Sequence, residues 1–317
     1  MNFHANAPDS QAGPETDPPL QERWLQVGEL RIRFLESGRE TGAQPALVLL
    51  HGHGESADTW HQVLPALART RRVIAPDLPG AGASTKPAAY AIAPAFYQDF
   101  LSGFLDALGL ERVALIGSSH GGLIALRTAL AQPQRVSALG LVGSAGLGRY
   151  ALPALVGLTL PGSGEAAVAW WSTPPGAAQW VTLFASLAFA DPLRVPSAWY
   201  ANLYRLARTP GHLQGAVLAC LRGQLGLEGQ REVLLDRLPS LEMPVLILWG
   251  REDRILPAWQ GEQAARHLRN GRLAVLPQCG HLPHVERPQR FLDICSRFLA
   301  GDDDSGDSAQ PPAHGPA

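Results

Sequence analysis

The 317-residue chain predicts an α/β architecture: a mostly parallel sheet covered by helices on both faces and broken once by a mainly helical insertion. Largely apolar runs at 46–50, 72–75, 113–116, 136–142, 245–249 and 273–276 read as strands of the sheet. Segments of helical character lie between or after them, at 60–69, 94–108, 257–268 and 288–299. The alternation stops between 143 and 241, where no continuous β pattern occurs.

Taken in order, residues 24–34 alternate and break at Gly28-Glu29, which predicts a hairpin ahead of the first buried strand. Pro94 suits the first turn of its helix, where a missing amide costs nothing. Residues 150–190 carry one charged side chain, Glu165, beside Trp170, Trp171, Trp180, Phe184 and Phe189. These aromatics read chiefly as the core of the insertion, some of them lining an apolar pocket. No internal repeat is apparent. The expected organisation is a disordered tail at 1–20, a core formed by 21–143 and 242–300, a helical cap at 144–241 and a disordered tail at 301–317.

Composition excludes several classes. With 26 Lys+Arg against 28 Asp+Glu, the net charge of −2 provides no basic field for nucleic acid and no polybasic membrane patch. Cys220, Cys279 and Cys295 are odd in number and lack C-x-x-C spacing, which suggests reduced thiols and a cytoplasmic location. No stretch reads as a signal peptide or a membrane span.

The chemistry centres on Gly117-Ser118-Ser119-His120-Gly121, set between a β-branched run and an Ala/Leu-rich segment. A strand–tight turn–helix context is what a nucleophile elbow requires. Ser119 would stand clear of the sheet, with Gly117 and Gly121 sparing collisions and the His120 amide free at the helix start. A serine hydroxyl needs a base, and the base an orienting acid. Asp253 and His281 each follow a predicted strand, in the order nucleophile, acid, base that this class of sheet uses. Glu252 and His284 are their rivals; Glu252 reads as a solvated loop carboxylate and His284 as a helix or pocket residue. Asp77 should bond loop amides, Glu286 its own helix region, and Cys279 should fill space. His51-Gly52-His53 could be read as a metal pair, but no second ligand cluster accompanies it.

Four motifs in order carry a family resemblance: His-Gly-x-Gly at 51–54, Asp-x-x-Gly-x-Gly-x-Ser at 77–84, Gly-x-Ser-x-Gly-Gly at 117–122 and Gly-His-x-x-x-x-Glu-x-Pro at 280–288. Over residues 24–300 the chain resembles an α/β-hydrolase, a serine hydrolase with a helical cap inserted after the sixth core strand. The resemblance implies Ser119 as nucleophile, Asp253 as acid, His281 as base and the amides of His53 and His120 as the oxyanion hole. It implies neither cofactor nor metal; the partners are a small, largely apolar substrate and water. Cleavage of a carboxylic ester through an acyl-enzyme ranks first. Trp249-Gly250-Arg251 and Cys279-Gly280-His281 resemble carbon–carbon hydrolases of aromatic ring-fission products, which rank second. Those enzymes usually show a serine where this chain has His53, and a Gly-Pro-Gly-like continuation that Gly54-Glu55-Ser56 lacks. An amide hydrolase and a perhydrolase use the same triad. A non-catalytic receptor of the same fold is the reading from another class, set back by the presence of every triad member.

Overall fold

The computed structural model describes residues 17–39, 44–87 and 94–302. β1 (Gln21–Val27) and β2 (Leu30–Ser37) form the predicted hairpin, turning at Gly28 with φ +56°. β3 (Ala46–Leu50) leads into a 3-10 turn at Ala57–Trp60 and a short α1 (Leu64–Leu67). The single helix expected over 60–69 is therefore cut in two. Pro65 has no amide to donate four residues back, so it is tolerated only in the first turn of a new helix. β4 (Val73–Pro76), α2 (Pro94–Ala107), β5 (Val113–Ser118), α3 (His120–Ala131) and β6 (Val136–Val142) follow.

After β6 the chain runs through α4 (Pro153–Leu158), α5 (Ser163–Trp171), α6 (Pro174–Ala188) and α7 (Ser197–Ala207). A π-helical stretch, Leu213–Ala219, then enters α8 (Cys220–Gln224). β7 (Leu225–Gly226) pairs with β8 (Gly229–Gln230), a ladder too short to produce a sequence period and absent from the expectation for this segment. The sheet resumes with β9 (Val245–Gly250), α9 (Trp259–Ala265) and β10 (Gly271–Leu276), and the chain closes on α10 (Pro283–Glu286) and α11 (Pro288–Ala300). α9 is shorter than expected because Arg266, His267 and Leu268 bond three residues back rather than four.

The eight-stranded sheet has the order β1-β2-β4-β3-β5-β6-β9-β10 and is parallel from β4 onward, with the hairpin antiparallel at one edge. Alternation divides each central strand between two cores. Ala46, Val48 and Leu50 of β3 face α2, α3 and the insertion, whereas Leu47 and Leu49 face α1 and α11. Burial on both faces is why these strands read as unbroken apolar runs. Within the insertion Trp180 and Phe189 are buried and Trp170 is half-exposed.

Two tail assignments need correction. Residues 17–20 are held against the core: Asp17 pairs with Arg69 at 2.6 Å, and the Pro18 carbonyl accepts from Ser37 Oγ at 3.0 Å. At the other end Gly301, with φ +81°, caps α11, and the Asp302 carbonyl accepts from Arg272. The expected disorder at 1–16 and 303–317 lies outside the described residues. Among the described residues no helix is long and apolar enough to cross a membrane.

Candidate active site

Ser119 joins β5 to α3 at φ +52° and ψ −115°, a conformation that costs a non-glycine residue about 1–3 kcal/mol. Neighbouring bonds hold it there. Its amide donates to Val142 O at 2.9 Å, and its carbonyl accepts the amides of Gly122, Leu123 and Ala145 at 3.0–3.2 Å. A Cβ on Gly117 would lie 2.2 Å from Gly121 O, and one on Gly121 would lie 2.2 Å from Leu50 O. Two glycines let the helix start sit directly on β3 and β5. His120 is the first residue of α3, so its amide has no carbonyl within the helix to bond.

The loop after β3 runs beside this turn: a Cβ on Gly52 would lie 3.3 Å from Ser119 Cβ. His51 spends both ring nitrogens on the backbone, Nδ1–H on Gly52 O at 2.8 Å and Nε2 accepting Leu78 N–H at 3.0 Å. His53 is half-buried and its ring stacks on that of His120, centroids 4.6 Å apart and planes 8° apart. Burial lowers the pKa of both, that of His53 to about 3, with help from neighbouring imidazoles.

The third part of the site comes from β9 and β10. Asp253 Oδ1 accepts the amides of Ile255 and Leu256, both at 2.9 Å, leaving Oδ2 to meet His281 Nδ1 at 2.7 Å. Both side chains are buried. Burial pushes the His281 pKa down, but the charge and hydrogen bond of Asp253, with the charge of Glu55, outweigh it and leave the pKa above the ordinary value. A Cβ on Gly143, just after β6, would lie 3.2 Å from His281 Nδ1 and 3.4 Å from Asp253 Oδ2. Ser119 bonds the last residue of the same strand, so all these groups gather at the carboxyl end of the sheet.

Other residues refine the sequence reading. His284 is buried, stacks on Trp60 at 4.1 Å and meets Thr59 Oγ1 at 3.1 Å, so its ring is committed to packing. Glu252 is not merely solvated: its carboxylate accepts the Cys279 amide at 2.9 Å. Asp77 accepts the amides of Ala57 and Ala83, both at 2.8 Å, as expected of it, and also pairs with the buried Arg33. Glu286 reaches beyond its own helix, taking Gly280 N at 2.6 Å and Ala190 N at 3.0 Å, and so ties the insertion to the His281 loop. Cys279 is a buried filler. Sequence reasoning missed Glu55, which accepts Gly52 N at 3.2 Å and Thr59 Oγ1 at 2.8 Å. It also missed His212, which bridges Gly82 N and Gly54 O, and Gln224, whose amide meets His120 Nδ1. A crevice of about 630 Å³ opens between α7 and the Ala57–Trp60 turn, floored by Arg33, Asp58 and Thr59; none of the five predicted site residues lines it.

The family model described as "alpha/beta hydrolase fold" matches residues 45–288. The chain belongs to this family. This α/β-hydrolase is 34% identical over 293 residues to a 2-hydroxymuconate semialdehyde hydrolase from Pseudomonas sp. (strain CF600), covering 90% of this chain and 96% of that one. It is 30% identical to a 2-hydroxy-6-oxo-2,4-heptadienoate hydrolase from Pseudomonas putida (strain ATCC 700007), covering 87% and 98%. Among solved structures it resembles a bacterial membrane phospholipase A at 29% identity and TM-score 0.71, covering 90% of this chain and 87% of that one. It shares its fold, at 24% identity and TM-score 0.75, with the 2-hydroxy-6-oxo-6-phenylhexa-2,4-dienoate hydrolase of Rhodococcus sp. strain RHA1, covering 89% and 99%. The α/β-hydrolase is thus a hydrolase whose relatives include 2-hydroxymuconate semialdehyde and 2-hydroxy-6-oxo-2,4-heptadienoate hydrolases.

Proposed function

We propose that this hydrolase cleaves a carbon–carbon bond of a 2-hydroxy-6-oxo-dienoate-type ring-fission product, with Ser119 as nucleophile, His281 as base and Asp253 as orienting acid. The relatives carry the substrate class: two chains that match it almost end to end bear names of this chemistry. This reverses the order of preference that the motifs alone suggest, where esters come first. The buried His281–Asp253 bond at 2.7 Å supports the triad.

In this mechanism the dienol first ketonises, so that the carbon chain can accept an electron pair. His281 takes the Ser119 proton as the serine oxygen attacks the C6 carbonyl, and the amides of His53 and His120 receive the oxyanion. Each such donor contributes about 3–4 kcal/mol. The C5–C6 bond then breaks, its electrons passing into the conjugated keto acid, and the His281 imidazolium returns the proton to carbon. Water, deprotonated by His281, releases the acyl group from Ser119. Asp253 holds the imidazole in the tautomer with Nδ1–H and stabilises its cation.

Residues 144–241 act in this reading as a cap, since a Cβ on Gly54 would lie 3.1 Å from both Trp180 and Val217, and His281 N donates to Ala188 O at 2.6 Å. We place the protein in the cytosol, where three unpaired buried thiols are stable. Secretion into an oxidising compartment, read by cell fractionation, would refute that placement.

A carboxylic ester is the second reading, favoured by the 29% identity to a membrane phospholipase A and by the departures at His53 and Gly54-Glu55-Ser56. Apart from the initial ketonisation, the two readings share every step up to the leaving group. Decay of a dienoate chromophore against turnover of p-nitrophenyl acetate separates them. The primary reading requires the larger kcat/KM for the dienoate and loss of both activities in Ser119→Ala; faster ester turnover with an inert dienoate selects the second.

A further inference from the structure

We infer that His53, His120 and Cys220 form a binding site for a divalent transition-metal ion of the zinc and cobalt type. Each residue offers one donor atom, and those atoms lie within 4.8 Å of one another. Nε2 of His53 and Nε2 of His120 are both buried without a hydrogen-bond partner among the described residues. Buried imidazole nitrogens normally find partners, so an orphan nitrogen on each of the two histidines clustered with a thiol points to a guest. Two imidazoles and one thiolate suit zinc or cobalt rather than calcium or magnesium, and leave a fourth position open. His51, the other histidine of the motif, is excluded because both of its nitrogens are engaged.

The geometry also says what must move. A metal lies in the plane of each imidazole that binds it, so two rings 8° from parallel cannot share an ion while stacked. His120 is held by Gln224 at Nδ1 and by the edge of Tyr97 at 4.7 Å, and is 3% exposed. His53 is half-buried and on a loop, so His53 turns out of the stack. Cys220 Sγ lies 2.9 Å from Tyr97 Oη, which also lies 3.1 Å from Pro79 O. On binding, the thiol gives up its bond to Gly215 O and its proton leaves to solvent, the sulfur–metal bond forms without electron transfer, and the Tyr97 hydroxyl turns its one proton from Pro79 O to the thiolate. The ion is then an inhibitor, because it sits on the two residues, His53 and His120, whose amides form the proposed oxyanion hole. That consequence rests on the functional reading above; the binding does not.

Cobalt(II) titration of the metal-free full chain tests the site. The wild type should take up one equivalent, with visible bands of tetrahedral cobalt and a near-ultraviolet sulfur-to-cobalt charge-transfer band. Cys220→Ser should lose the charge-transfer band and Cys295→Ser, altered on α11 in the other core, should keep it. His120→Ala should weaken binding by at least the roughly tenfold that even outer-shell losses cost. Circular dichroism confirms that each variant is folded; if Cys220→Ser is not, His120→Ala decides. Folded wild type without these bands, a charge-transfer band surviving in Cys220→Ser, or unchanged affinity in His120→Ala overturns the proposal. The readout is optical, so its failure leaves the hydrolase reading intact, and an inactive enzyme that still binds cobalt leaves the site intact.

Discussion

At Ser119 the chain holds a left-handed backbone that serine avoids, fixed by bonds to Val142, Gly122, Leu123 and Ala145. Its proposed partner His281 is tuned by two carboxylates, Asp253 in contact and Glu55 farther off, both favouring the imidazolium. The sign of the pH effect follows. A raised pKa keeps the base protonated to higher pH, so kcat/KM should fall on acidification through a pKa above the ordinary imidazole value of about 6.5. Glu55→Gln removes one of the charges that favour the cation, so the acid limb should move to lower pH in a pH–rate profile; an unmoved limb separates Glu55 from His281. Asp253→Asn should keep the fold and lower kcat on the order of 10⁴-fold, because the tautomer is then wrong. Steady-state kinetics on folded variant checks that figure, and a loss under tenfold would remove Asp253 from its proposed role.

At the scale of elements, the strand–turn–helix at 113–131 works because β3, β5 and α3 approach to glycine distance. Gly121→Ala puts a Cβ 2.2 Å from a backbone oxygen that cannot rotate away, so denaturant unfolding should show a loss of about 1–3 kcal/mol. The His281 loop and the insertion are tied through Glu286, which collects Gly280 N, Ala190 N and Asp191 N. Glu286→Gln cannot accept these amides with full charge, and should cost about 1.5–3 kcal/mol while raising KM more than it lowers kcat. A stability loss with unchanged KM would mean that the tie supports the fold and not the pocket. This was the least legible part of the site. The glycines around Ser119 show in sequence because the turn needs them within five residues. Glu55, His212 and Gln224 do not, because folding supplies the partner that matters: the charge of Glu55 acts on His281, His212 bridges Gly54 and Gly82, and Gln224 meets His120 across 104 positions.

Over the whole molecule the histidines set the response to acid. His51, His120, His212 and His284 are buried, and each pKa is lowered first of all by burial. For His212 and His284 it falls to about 3. Below about pH 6.5 the unfolded chain therefore binds protons that the native state refuses, and stability falls with falling pH. Each such group removes about 1.4 kcal/mol per pH unit, so these two alone remove about 3 kcal/mol per unit. Against a total of about 5–15 kcal/mol, the fold should be lost within a few units of pH 6.5. His281 acts with the opposite sign: its stabilising share is whole below the unfolded pKa and is lost as pH rises through its folded value. Urea titrations between about pH 7 and pH 4 measure the sum, and a flat profile would contradict the burial of neutral rings. The two-faced sheet was legible at this scale because central strands buried on both sides read as apolar runs. The break at Pro65 and the β7–β8 ladder were less so, each being too short to generate a period.

The central claim is that the acyl group passes through Ser119. Cleavage after Arg112 and Arg127 isolates residues 113–127, which contain both Ser118 and Ser119. Acid quenching during dienoate turnover, digestion and fragment mass spectrometry should find the acyl mass on Ser119 in this peptide, appearing and decaying with turnover. Active enzyme with no adduct there, or with the adduct on Ser118 or another residue, would contradict the account.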